Sequence, residues 1–196
     1  MLYINENLQA FDLAAALASI SEQRRVQALR FKHEQGRRES VAAYLLLKEA
    51  LRKEFGIGGN PEFEYDAGGK PRLKDHSGIF FNLSHCREAV ICVVDTVPVG
   101  VDIETVRPFK DTLARHVLSP EEYSVVAASF NPAVEFIKLW TQKEAVLKLT
   151  GEGIRSDLKT TLTNVSEDIC IQTVVTGRYV YTVCRRRKYP TQYFLK

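Results

Sequence analysis

The stretch PVGVDIETV, residues 98–106, reads as a buried strand that carries two acids one residue apart. Side chains at i and i+2 of a strand point to the same face. Val99, Val101 and Ile103 therefore face a core, and Asp102 and Glu104 share the opposite face. Neighbouring carboxylates repel each other unless a cation stands between them. A hard divalent ion such as Mg²⁺ suits oxygen ligands of this kind. The other reading of the same residues is an edge strand with a solvated acidic face.

Working outward, IFFNLSH (79–85) and AVICVVD (89–95) are β-like runs separated by CRE, the pattern of a hairpin, and the acidic strand follows as a third strand. Upstream, RRESVAAYLLLKEALRKEFG predicts a helix with Val41, Tyr44, Leu45, Leu47 and Leu51 in its apolar stripe and Gly56 at its end. Residues 12–29 read as helical, with a break before a second helix capped by Ser21, and MLYIN as a first strand. Between them, 56–73 is rich in turn residues, with a short strand at EFEYD and a tight turn at Gly68-Gly69. Downstream, 105–118 reads as a polar stretch. Ser119-Pro120 starts a helix, and Asn131-Pro132 starts a long one that Gly151 stops. TLTNV (161–165), CIQTVVTGRYVYTVCRRR (170–187) and QYFLK (192–196) read as strands. Helices followed by antiparallel strands, twice over, predict an α+β fold of two similar halves, 1–97 and 98–196.

The chain has 196 residues, 45% of them apolar and 26% charged, enough for one ordinary core or two small halves packed together. A net charge of +3 gives no indication of a nucleic-acid binder. Cys86, Cys92, Cys170 and Cys184 show no CxxC spacing and read as reduced thiols of a cytoplasmic protein. No signal peptide is evident at MLYINENLQAFDL, and the longest apolar runs are too short to cross a bilayer, so no membrane partner is expected.

Three clusters carry chemistry. Asp102 and Glu104 are the first. In WTQKEAVLK, Trp140, Glu144 and Lys148 recur every four residues and share a helix face; the alternatives are a surface Glu144–Lys148 pair or a Thr141–Glu144 capping box. In FNLSHCRE, Ser84 and His85 end an apolar strand. Adjacent strand side chains point apart, so the two form no nucleophile–base pair, and a phosphate contact is the more natural role. A histidine satisfied by its surroundings is the other reading. Lys70, in GGKPRL, sits on a turn that would hold a lysine forward.

GKPRL, FNLSHCREAVICVVDTVPVGVDIE, LSPEEY and FIKLWTQKEAVLKLTGEGI together resemble, in order and spacing, the Sfp-type 4′-phosphopantetheinyl transferases. The resemblance implies a pseudo-twofold α+β fold with the active site at the junction of its halves. It implies Mg²⁺-dependent transfer of the phosphopantetheine arm of coenzyme A to a serine of an acyl or peptidyl carrier protein, releasing adenosine 3′,5′-bisphosphate. By motif position, Asp102, Glu104 and Glu144 hold Mg²⁺, with Mn²⁺ as an alternative. Lys148 meets the phosphates. Lys70, Ser84, His85, Arg24 and Arg38 bind coenzyme A, with His85 near the 3′-phosphate. Gln27 departs from the pattern, since relatives often carry a lysine there. Glu144 is the expected base, or the residue that orients a water, with Lys148 and Asp102 completing the catalytic set. Lys110, Arg115 and His116 are candidates for docking an acidic carrier, and Arg185–Lys188 is a second candidate or a solvated strand end. A monomer is expected. The competing functions are a metal-dependent nucleotide phosphohydrolase and a non-catalytic module that binds coenzyme A or a carrier.

Overall fold

The computed structural model describes residues 1–153 and 157–187. The chain begins with β1 (Leu2–Asn5), α1 (Leu13–Ser19), α2 (Glu22–Leu29) and α3 (Glu34–Phe55). A short hairpin, β2 (Phe63–Tyr65) and β3 (Pro71–Leu73), precedes β4 (Phe80–His85), β5 (Val90–Asp95) and β6 (Val99–Thr105). Then come α4 (Asp111–Val117), α5 (Pro120–Ala127), α6 (Pro132–Thr150), β7 (Ile169–Val175) and β8 (Tyr179–Arg186).

Local chemistry explains most boundaries. Ser21 Oγ accepts from Arg24 N at the start of α2, and Ser119 with Glu122 closes a capping box on α5. Asn131 caps α6. Gly56 and Gly151 end α3 and α6 in the left-handed region, at φ 68° and 80°, where a side chain would be strained.

Two antiparallel three-stranded sheets form, ordered β1-β5-β4 and β6-β8-β7. Each places its last strand in the middle, and each set of three strands is interrupted by three helices after the first strand. Alternation on β5 serves two cores. Val90, Cys92 and Val94 pack with Val41, Tyr44, Leu47 and Leu51 of α3. Ile91 and Val93 pack with Val99, Val101 and Ile103 of β6 and with Val183 of β8. The two sheets thus lie face to face, and α6 covers the outer face of the second, with Ala145, Val146 and Leu149 in one cluster with Cys184 of β8.

Four expectations need correction. The acidic strand β6 is an edge strand, but it belongs to the second sheet and its acidic face is not solvated: Asp102 is only 4% exposed, beneath α6. The stretch 105–118 contains a helix, α4, whose N-cap Lys110 makes no side-chain capping bond. TLTNV is a run of turns, held by Thr160 and Thr161 hydroxyls that donate to Asp157 O, both at 3.2 Å. Lys70 is not held forward: its ammonium turns inward onto backbone carbonyls. QYFLK and Lys188 lie outside the described residues.

Candidate active site

The site lies where β4, β6 and α6 meet. Gly100 makes that meeting possible: a Cβ there would stand 2.1 Å from Ala145 O and 2.5 Å from Leu149 N. Without one, the α6 backbone rests directly on β6, so Glu144 and Lys148 arrive over Asp102, two residues farther along the strand. Trp140, Glu144 and Lys148 line one recess of about 330 Å³ with Ser84, His85, Asp102 and Glu104, as their four-residue spacing predicts.

The charge that lets the two acids stay together comes first from the protein itself. Lys148 Nζ donates to Asp102 Oδ1 at 2.6 Å and to Ser84 Oγ at 3.0 Å, and Ser84 Oγ donates to Asp102 Oδ1 at 2.9 Å. The surface pair between Glu144 and Lys148 therefore gives way to a contact across elements. Glu104 Oε2 accepts from Arg107 at 2.6 Å. Burial, reinforced by the Asp102 charge, raises both the Glu104 and the Glu144 carboxyls above their ordinary value.

Asp102 Oδ2 is buried with no partner. A carboxylate oxygen left bare in this way, beside two carboxyls whose ionisation is resisted, has the donor chemistry of a site for a hard cation. Among the described residues no cluster of three or more His, Cys, Asp or Glu side chains converges on one ligating point, so the three carboxylates share the recess without being drawn together.

His85 Nδ1 lies 3.0 Å from Glu39 Oε2, and burial lowers its pKa. Lys70 Nζ donates to Val99 O at 3.1 Å and Leu149 O at 3.0 Å, and burial lowers its pKa to about 8. It borders a second recess with Asn82, Glu144 and Lys148.

Arg24 and Arg38 do not line the Asp102 recess. Arg24 donates to Gln27 Oε1 at 2.6 Å and Ser40 O at 3.3 Å, while its Nε is buried without a partner. Arg38 donates to Glu34 Oε1 at 2.9 Å and Phe11 O at 3.0 Å. Arg115 is engaged by Asp111 and Tyr123. Lys110, by contrast, borders a groove with Arg107, Leu113, Phe136 and Trp140 that meets the main recess at Glu104.

Sequence reasoning missed Glu39, Asn82 and Lys143. Asn82 lies in FNLSH and Lys143 in WTQKE, so the motifs contained both. Nothing local marks Glu39, which sits 46 residues before the histidine it holds.

The sequence model for the 4′-phosphopantetheinyl transferase superfamily matches residues 98–193, which include the acidic strand and all of α6. HetI of Nostoc sp., a 4′-phosphopantetheinyl transferase, is 37% identical over 155 residues, 74% of this chain and 64% of its own. This chain belongs to the 4′-phosphopantetheinyl transferase superfamily. A 4′-phosphopantetheinyl transferase of Bacillus subtilis is 28% identical over 171 residues, 85% of this chain and 76% of its own. Sfp of Bacillus subtilis strain 168 is 26% identical over 170 residues, with the same coverage of 85% and 76%. Asp102, Glu104, Glu144 and Lys148 of this superfamily member all lie within the matched segment.

Proposed function

We propose that this protein transfers the 4′-phosphopantetheine arm of coenzyme A to a serine of an acyl or peptidyl carrier protein. One observation carries the reading. Asp102 is buried with one oxygen held by Ser84 and Lys148 and the other unpartnered, in a recess shared with Glu104 and Glu144.

In the reaction the carrier serine oxygen forms a bond to the phosphorus that bears pantetheine. The bond from that phosphorus to the bridging oxygen breaks, and adenosine 3′,5′-bisphosphate leaves with the electron pair. Asp102, Glu104 and Glu144 are the proposed holders of Mg²⁺ or Mn²⁺, which when bound neutralises the diphosphate as a Lewis acid. Lys148 stabilises charge on the leaving phosphate. Glu144 takes the serine proton or orients a water that does. Ser84, His85 and Lys70 are proposed to meet coenzyme A, Lys70 with a third N–H beyond its two carbonyl bonds. Arg24, with its unpartnered Nε, and Arg38 are further proposed phosphate contacts. The groove at Arg107, Lys110 and Leu113 is proposed to take the carrier. The same reading divides the chain into pseudo-twofold halves at 97/98, working as a cytoplasmic monomer.

Incubation with coenzyme A, Mg²⁺ and a panel of carrier proteins, followed by intact-mass measurement, tests this. The expected result is gain of the arm on at least one carrier. Asp102→Ala should slow that gain about a thousandfold while the circular dichroism spectrum is kept. No gain on any carrier overturns the reading, and coenzyme A cleavage by water without a carrier would replace it with a phosphohydrolase.

A further inference from the structure

We propose that Asn82 is a positioning residue for Asp102, acting through the backbone of β6. β4 and β6 are the facing edge strands of two different sheets, and no ladder joins them. Side chains do the joining. Val101 N–H donates to Asn82 Oδ1 at 2.8 Å, and Ile103 N–H donates to Ser84 Oγ at 3.4 Å. Asn82 and Ser84 are two residues apart on β4, as Val101 and Ile103 are on β6, so the periodicities match and two side-chain oxygens stand where ladder carbonyls would be.

Asp102 lies between the two fastened amides. The seam fixes the backbone on both sides of it, and α6 rests on the strand two residues earlier, at Gly100. Ser84 also donates to Asp102 Oδ1, so it belongs to the site itself. Asn82 hydrogen-bonds to neither Asp102 nor Lys148; its acceptor is spent on Val101 N–H. Its effect on the site is therefore indirect. It holds β6 at the distance from which Asp102 gives Oδ1 to Ser84 and Lys148 and keeps Oδ2 unpartnered. The inference rests on the cation site proposed above.

The test compares wild type, Asn82→Ala and Asn82→Asp with two readouts that need no turnover. One is amide hydrogen exchange at Val101. The other is Mn²⁺ affinity with coenzyme A present, followed by loss of the free-ion paramagnetic resonance signal. In Asn82→Ala, Val101 should exchange at least about tenfold faster and Mn²⁺ affinity should fall about tenfold, the usual effect of losing an outer-shell partner. Asn82→Asp keeps an acceptor oxygen and should restore both. Faster exchange with unchanged Mn²⁺ affinity would leave Asn82 a purely structural residue and overturn the proposal, as would unchanged exchange. If Asn82→Ala does not fold, Asn82→Ser, whose shorter side chain falls short of Val101, is read by the same two outcomes. Failure of the wild type to bind Mn²⁺ would instead overturn the cation site, and this inference with it.

Discussion

α3 packs most closely over β5, the central strand of the first sheet, whereas α6 packs most closely over β6, the edge strand of the second. The two helices are otherwise alike: long, ended by a left-handed glycine, and laid on three antiparallel strands. Over a central strand, α3 meets Val90, Cys92 and Val94 and builds mainly core, with Glu39 reaching His85 from its first turns. Over an edge strand, α6 meets Gly100, Asp102 and Glu104, and its own Glu144 and Lys148 complete a polar recess. One arrangement is almost wholly apolar and the other leaves a polar recess. The residue that separates them is Gly100, because only a missing Cβ lets a helix backbone sit so close to a strand.

Replacing that glycine is the most direct way to break the contrast. Gly100→Ala places a methyl group against Ala145 O and Leu149 N, both backbone atoms, so α6 must move. Misplacement by about 1 Å should lower transfer about a hundredfold, and overpacking should destabilise the fold by about 3 kcal/mol. Urea unfolding and single-turnover transfer read the two effects, and a fully active variant would show that the close approach is unimportant.

Lys143 tests whether α6 is also anchored from its far side. Its side chain is fully buried, donating to Leu158 O at 2.6 Å and pairing with Glu122 Oε2 at 2.8 Å. Lys143→Met should destabilise by about 2 kcal/mol, less than for a wholly buried pair because Glu122 keeps some solvent. Chemical denaturation measures this, and an unchanged midpoint would remove Lys143 as an anchor.

A pH dependence is expected at Lys70, which ties the β2–β3 hairpin to Val99 and Leu149. Its pKa falls from 10.5 to about 8 on folding, chiefly through burial. Between those values the unfolded chain holds the proton that the folded one has released, so this group makes the fold more stable as pH rises from about 8 to 10.5. The stability of wild type relative to Lys70→Met should rise over that window. A gap that stays constant in pH-dependent denaturation would mean that the lysine is not desolvated.

Much of this was legible because it is local. Ser119-Pro120, Asn131-Pro132, Gly56 and Gly151 set helix ends within a turn of themselves, and the β4–β5 hairpin follows from two apolar runs and a short break. The failures were local as well. TLTNV alternates like a strand, yet nearby threonine hydroxyls offered its backbone a turn instead. α4 is only seven residues long and has no capping side chain to announce it. Among the site residues, the shared face of Trp140, Glu144 and Lys148 was visible from their spacing. The pairing of Lys148 with Asp102 was not, since the two are separated by 46 positions.

By itself the sequence determined most of the elements, the acidic face of β6 and the family, because periodicity, capping residues and motif spacing act over a few residues at a time. Only the tertiary structure decided that this face lies beneath α6 and not in water. It also decided that Lys148 reaches Asp102, that Glu39 holds His85 and that Asn82 fastens β6. Those contacts depend on how two sheets and a helix approach one another, and the approach is set by packing across the whole chain, with Gly100 as its closest point.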